Sequence, residues 1–418
     1  MPVDKDNFLR SEAELILDET RKSKAERTKD LGSPIQLTGV ALDLHIRGNV
    51  AWIAENAAVI RKVDLESGKT LQLFRGHTAP VTTIAFYNKV RGSGDEKLLI
   101  SGSWDKVWTT VKIWDVETKR VLSSTEAHND FVKTLLVVPT MDLLISSSSD
   151  KIIRFWDLSA FEEGKPLVSA GSVSAHTRPV EALAAHQLDE RSAVLYTADT
   201  MGIIKVWELQ KEQGPSPRWR STLKEELNYH RTKINEIVYG NGQLCAASSD
   251  DTVQVHYDPP LPKPEQDGIR PMPPITHPAA VRAVLPILST PLGEPYVLTG
   301  SGDVIRTYDI SSPDEPELLN ETDAHWHDVI ALRLWMRKSL VKGEPGKFKI
   351  EPWIVSASLD GTLRKWRFLD LLKPSLKPTE EVPKQTAPES APAPKEQDEF
   401  GLTEDEEREL AELMDNDD

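Results

Sequence analysis

Histidine, a hydroxyl residue and aspartate recur together along this chain. His77 is followed by Ser101 and Asp105, His128 by Ser146 and Asp150, His176 by Thr197, and His325 by Ser356 and Asp360. Hydroxyl, imidazole and carboxylate are the parts of a hydrolytic triad, in which the imidazole takes the hydroxyl proton and the carboxylate orients the imidazole. An active site is usually single, whereas this set returns several times. His325 and His327 in "AHWHD" have the spacing of a metal pair, yet no cysteine or third histidine accompanies them. No G-x-G-x-x-G or G-x-x-x-x-G-K-[ST] string is present, and the glycine pairs in "YGNGQL" and "RGSGDEK" read as hairpin turns. No catalytic residue, cofactor or metal is expected.

The histidines mark a repeat. His, three residues, then Val or Ile occurs as HTAPV, HNDFV, HTRPV, HRTKI, HPAAV and HWHDV, starting at His77, His128, His176, His230, His277 and His325. The spacings are 51, 48, 54, 47 and 48 residues. Each histidine is followed by a β-rich run, a second run ending in small residues, a turn, and a third run ending in an aromatic, as in "LLISSSSDKIIRFWD" and "WIVSASLDGTLRKW". Runs of Val, Ile and Leu between polar turns are short strands. Repeats of this length built from strands are propeller blades.

Residues 33–370 resemble the WD40 family. That resemblance implies an all-β, seven-bladed propeller with four strands per blade. The first blade is degenerate, without the histidine, turn aspartate or tryptophan. "SPIQLT" (33–38) is an orphan strand, and Ile35–Leu37 is expected to complete blade seven. The resemblance also implies a structural role for the triad-like sets. In each blade a Ser or Thr four residues before the turn Asp, a Trp six after it, and the His form one hydrogen-bonded tetrad. Blade three carries His128, Ser146, Asp150 and Trp156; blade seven carries His325, Ser356, Asp360 and Trp366. Blade four has His176, Thr197 and Trp207, with Met201 where the Asp belongs. Blade five has His230 and Asp250, with Ala246 and His256 replacing Ser and Trp. Blade six has His277, Thr299 and Asp303, in a turn one residue short, with Tyr308 ending the strand.

Blade two reads SWDKVWTTVKIWD, the familiar string with three residues added. Two tryptophans compete for the tetrad. Trp108 is too close to Asp105 to leave a turn and most of a strand, and choosing it would reverse the strand faces. Trp114 is therefore expected to join His77, Ser101 and Asp105. Val107–Thr109 should bulge from the turn with Trp108 exposed, as a genuine insertion or as nine nucleotides kept at a misplaced splice boundary.

Charge is uneven. The chain carries −16 formally, and the last fifty residues alone carry −11. No basic footprint for phosphates is visible, so direct nucleic-acid binding is not expected. The single Cys245 sits in "QLCAAS" and reads as a buried hydrophobe in a reducing compartment, cytoplasmic or nuclear. The start of the sequence lacks the apolar stretch of a signal peptide, and no run is long enough to cross a membrane.

Residues 1–32 read as an N-terminal helical extension. A helix is expected over 7–30, capped by Ser11 and Glu14, with Leu9, Ala13, Ile16 and Leu17 on one face. It could pack on the propeller's side or bind a partner. Residues 371–398 form a Pro-rich linker that cannot bury enough to fold. Residues 399–418 form an acidic tail whose Leu410, Leu413 and Met414 share one face of a short helix, either solvated or serving as a tethered ligand.

The function implied by the resemblance is a noncatalytic scaffold for other proteins, monomeric by itself within a larger complex. A ubiquitin-ligase substrate receptor and a chaperone for a basic client are the alternatives. Receptors of the cullin type often carry a basic residue two positions after the WD pair, where this chain has Glu117 and Ser159. The face built by the histidine loops and the second-to-third-strand turns is the expected partner surface. Trp104, Trp108, Phe131, Arg178, Arg231 and Trp326 lie there, of the types that dominate binding energy.

Overall fold

A computed structural model describes residues 12–88, 97–105, 109–214, 218–257, 272–312, 315–340 and 348–373. These residues form seven four-stranded antiparallel sheets. In chain order the blades span 41–75, 81–128, 132–173, 180–227, 234–276, 281–323 and 329–367, each running from the ring's centre outwards. The acidic residues 374–418 lie outside the described residues.

Blade seven closes the ring. It contains β1 (Ile35–Gln36), β2 (Val329–Leu340), β3 (Phe348–Ser358) and β4 (Thr362–Arg367), in the order β1-β4-β3-β2. Ile35 faces Leu363 and Gln36 faces Thr362, so the N-terminal strand covers what would otherwise be an open edge. Leu37 continues the seam through its N–H to the Gly361 carbonyl at 2.9 Å. The described C-terminal end is a short helix, α2 (Phe368–Leu371), whose Phe368 and Leu371 are buried. It carries the packed body one residue past the expected boundary at 370.

Apolar side chains explain why seven imperfect repeats still make a ring. Seven clusters sit one between each pair of neighbouring blades. The cluster between blades one and two joins Trp52, Ile60 and Phe74 to Ile84, Phe86, Leu99 and Trp114. Burying one such side chain contributes about 1.5–3 kcal/mol, against roughly 1 kcal/mol net for one hydrogen bond. Packing therefore holds blade one, which lacks the tetrad. Its place is taken by a buried ion pair: Glu55 accepts from Arg61, and Arg61 also donates to Thr38 and Thr70.

Every blade's innermost strand carries a bulge after its first residue. A bulge re-aims one side chain. The residues set apart are Leu42, Thr82, Lys133, Glu181, Asn235, Arg282 and Ile330, all lining the central channel, a cavity of about 460 Å³. Several reach the next blade. Thr82 Oγ1 donates to the Val132 carbonyl and Asn235 Nδ2 to that of Val281, both at 2.7 Å. Lys133 pairs with Glu181 at 3.1 Å, and Arg282 with Asp328 at 2.7 Å. Deeper in the channel, Arg333 of blade seven meets Glu236 of blade five at 2.8 Å and donates to the Leu44 carbonyl of blade one. In blades two to seven this is the residue that follows H-x-x-x-Val or H-x-x-x-Ile, but nothing local says that it faces a channel.

The N-terminal helix, α1 (Glu12–Arg27), ends three residues before the expected Asp30. Leu9 and Ser11 lie outside the described residues. Ile16 is 57% exposed, so the expected apolar face is not buried where it can be described. Charges hold the helix instead, on the face of the histidine loops and not on the propeller's side. Lys24 Nζ lies 2.7 Å from Asp303 and 3.0 Å from Asp323, and Arg27 lies 2.7 Å from Asp323. Below the helix, Arg364 donates to the carbonyls of Thr28 and Leu31.

Candidate functional site

The triad-like sets are closed inside their blades. In blade two His77 Nδ1 lies 2.8 Å from Asp105 and Nε2 lies 2.8 Å from Ser101, while Trp114 Nε1 donates to the same Ser101 oxygen at 2.8 Å. The hydroxyl accepts from the indole, so its own proton goes to the imidazole, whose other N–H goes to the carboxylate. Blades three and seven repeat the arrangement through His128, Ser146, Asp150 and Trp156, and through His325, Ser356, Asp360 and Trp366, at 2.8–3.0 Å. Ser101, Ser146, Thr197 and Ser356 have no exposed surface. A hydroxyl so placed has the polarisation of a nucleophile, but no room for a substrate.

Electrostatics follow from this packing. Burial opposes ionisation of Asp105, Asp150, Asp199 and Asp360, but hydrogen bonds from the histidines and nearby N–H groups outweigh it and hold all four below the usual carboxylate range. Burial pushes His77 and His325 below the ordinary imidazole value, against the pull of their aspartates. Burial also drives the Cys245 thiol up to about 12, which leaves it unreactive.

Several expectations need correction. In blade four the carboxylate is present after all. Asp199, two residues after Thr197, lies 3.0 Å from His176 Nδ1, while Met201 is exposed in the turn. Thr197 and Trp207 complete that network at 2.7 and 3.0 Å. Asp199 occupies the place where blades two, three, five, six and seven have Ser103, Ser148, Ser248, Ser301 and Ser358, by strand register. An Asp replacing that serine was the available signal. In blade six the short turn carries Asp303 away from its histidine and onto Lys24. His277 Nε2 keeps Thr299 at 2.9 Å and Nδ1 falls back on the Ile275 carbonyl at 3.2 Å. Burial and the charge of Arg306 then push His277 down to about 4. Thr109 does not bulge. It opens the strand Thr109–Asp115, is buried, and its hydroxyl donates to the His128 carbonyl, while Val107 and Trp108 lie outside the described residues.

Blade five is the weakest. His230 Nδ1 has Thr252 at 3.0 Å and Asp250 at 3.4 Å, but Nε2 is buried without a partner among the described residues, because Ala246 supplies no hydroxyl. His256, in the tryptophan's place, bonds the Tyr229 hydroxyl at 3.0 Å instead.

The partner-surface residues fall into two groups. Trp326 lies half-buried in a cavity of about 310 Å³ that Thr20, Arg21 and Lys24 of α1 help to wall. Trp104 stacks on Phe131 at 5.0 Å, with Lys133 over its ring at 5.7 Å and its indole N–H buried without a partner among the described residues. Phe131 is 39% exposed, and Arg178 and Arg231 are exposed. Trp108, Leu410, Leu413 and Met414 lie outside the described residues. Among the described residues no cluster of His, Cys, Asp or Glu could hold a metal, and no helix is long and apolar enough to cross a membrane.

A ring of seven four-stranded blades, four of them pinned by His–Asp–hydroxyl–Trp networks, defines a β-propeller of the repeat type. The chain belongs to the WD40 β-propeller family. The family model for the WD domain, G-beta repeat, matches residues 68–115 and 119–157. An uncharacterized WD repeat-containing protein of Schizosaccharomyces pombe is 24% identical over 372 residues, which cover 86% of this chain and 88% of that protein. The transcriptional corepressor LEUNIG_HOMOLOG of Arabidopsis thaliana is 29% identical over 164 residues, 39% of this chain and 18% of that one. The crystal structure of the computationally designed Ika8 protein covers 79% of this chain and 98% of its own with a TM-score of 0.51 and 20% identity, a likeness of fold alone. WD40 propellers typically serve as protein-interaction scaffolds.

Proposed function

We propose that this protein is a noncatalytic scaffold that assembles other proteins as a single copy per complex, using the upper face of blades two to five. The observation that carries the reading is the state of the hydroxyls. Ser101, Ser146, Thr197 and Ser356 are each fully buried and already shared between an indole and an imidazole. The most reactive-looking groups of the chain are thereby used as structure. What remains at the surface is of the binding type: Phe131, Met201 and Tyr229 are exposed on loops of blades three, four and five. Aromatic and flexible apolar side chains supply contact area at interfaces.

A photo-crosslinking amino acid placed at Met201 of the full chain tests this in cells. Crosslinks to other proteins should form at position 201, and Phe131→Ala with Tyr229→Ala should weaken them. The same probe at Phe348, on the far end of the ring, is the control. Crosslinking confined to position 348 would move the working surface to the opposite face.

A further inference from the structure

The upper face has two halves of opposite charge. Over blades six and seven it presents Asp303, Asp323 and Asp328. The basic last turn of α1 sits on the first two, and Arg282 takes the third. Over blades three to five the sign is reversed. Lys151, Arg178 and Arg231 are exposed, and Lys133 and Lys233 share Glu181 at 3.1 and 3.0 Å. Among the described residues of these loops Asp130 is exposed and Asp251 half-exposed. This basic patch stands on a chain of net charge −16, so it is a local arrangement and not a reflection of composition.

The patch also has an apolar floor. Gly202, at φ +82°, lets the turn carrying Met201 press against the next blade's loop. A Cβ there would stand 2.4 Å from the His230 carbonyl oxygen. That contact joins Met201, 49% exposed, to the loop bearing Tyr229, 46% exposed, and Arg231. No other described segment of the chain lies on this surface, whereas α1 covers its acidic counterpart.

We infer that blades four and five bind an acidic segment of a partner protein, with an aliphatic or aromatic side chain resting on Met201 and Tyr229 and carboxylates paired with Arg178 and Arg231. The inference rests on the reading of the upper face as the partner surface and specifies what that surface recognises. The molecule already uses the inverse pairing once, with a basic helix on acidic loops. Opposite charges at such rims select the partner and speed its arrival, while the desolvated apolar contact holds it. A nucleic acid is the less favoured polyanion: the cations are few, the patch has apolar side chains at its centre, and the remaining charge of the chain repels phosphates.

Fluorescence anisotropy of the full-length protein with a labelled peptide of alternating Glu and Leu tests the inference. The Lys-for-Glu peptide and a single-stranded DNA of equal charge are the comparisons. The acidic peptide should bind, more weakly as salt rises. Arg178→Glu with Arg231→Glu should lower affinity on the order of tenfold, a change of about 1.4 kcal/mol, and Met201→Ala should lower it further. Lys338→Glu on the far side should change nothing. Unchanged melting temperatures guard against misfolding. Absence of binding, indifference to the double reversal, or tighter binding of the DNA through the same arginines would overturn the inference. The crosslink at position 201 separates this from the broader reading. If it survives the double reversal undiminished, the upper face remains the partner surface and the acidic chemistry is wrong. If it never forms, the broader reading fails.

Discussion

Blades three and five carry the same histidine loop and the same turn aspartate, yet they are built differently inside. In blade three the Ser146 hydroxyl stands between His128 and Trp156 at 2.8 and 2.9 Å. In blade five the equivalent residue is Ala246, and His230 Nε2 is buried with no partner among the described residues. Both blades nevertheless form four strands, and in each the second and third strands pair without a register break. The difference shows that the network tunes a blade whose existence packing has already settled. Between blades five and six, Cys245, Val253, Val255 and Ile275 pack against Val281, Val284 and Val297, and a cluster of that size outweighs one missing hydrogen bond.

Ser146→Ala should break the comparison most sharply. It would strip partners from both the indole of Trp156 and Nε2 of His128, at roughly 2–6 kcal/mol for the two orphaned groups together. Denaturant melts would read it. A loss no larger than that of a surface substitution would mean that the tetrad carries no stability.

Acid should find blade six next. His277 is held at about 4 in the folded chain against an ordinary 6.5. The fold thus favours the neutral ring. This contribution is complete above pH 6.5 and is lost as pH falls towards 4, amounting to about 2 kcal/mol by pH 5. His277→Gln should flatten stability over that window, and a wild-type curve already flat between pH 6.5 and 5 would contradict the assignment.

Ala246→Ser runs the comparison in reverse. It should give His230 Nε2 its missing partner and stabilise the protein by about 1 kcal/mol. A destabilised variant would show that blade five has repacked around the alanine.

The smallest effect belongs to Asp303. Because it has left His277 for Lys24, where both side chains are partly exposed, Asp303→Asn should shift global stability by under about 1 kcal/mol. It should, however, expose the residues of α1 to limited proteolysis. A loss as large as that of Ser146→Ala would place Asp303 back in a working tetrad.

The class of fold was legible because it rests on local pattern. The six histidines, the strand-turn-strand grammar and the orphan segment Ile35–Leu37 are contiguous signals, and strand alternation leaves few ways to pack them. Trp114 could be chosen over Trp108 for the same reason, since register is a property of neighbouring residues. Other features needed the third dimension. Asp199 could replace the acid expected at Met201 because two positions separated in sequence converge on one histidine once the turn is folded. Asp303 could desert its histidine because a short turn left it within reach of Lys24, some 280 residues earlier in the chain. The ring of bulged residues from Leu42 to Ile330 exists only when seven strands stand around one axis. Sequence by itself determined which residues pair along a blade, since that follows from spacing. Tertiary structure decided which charges meet across blades and which half of the upper face α1 covers, because those distances are set by ring closure and not by any single repeat.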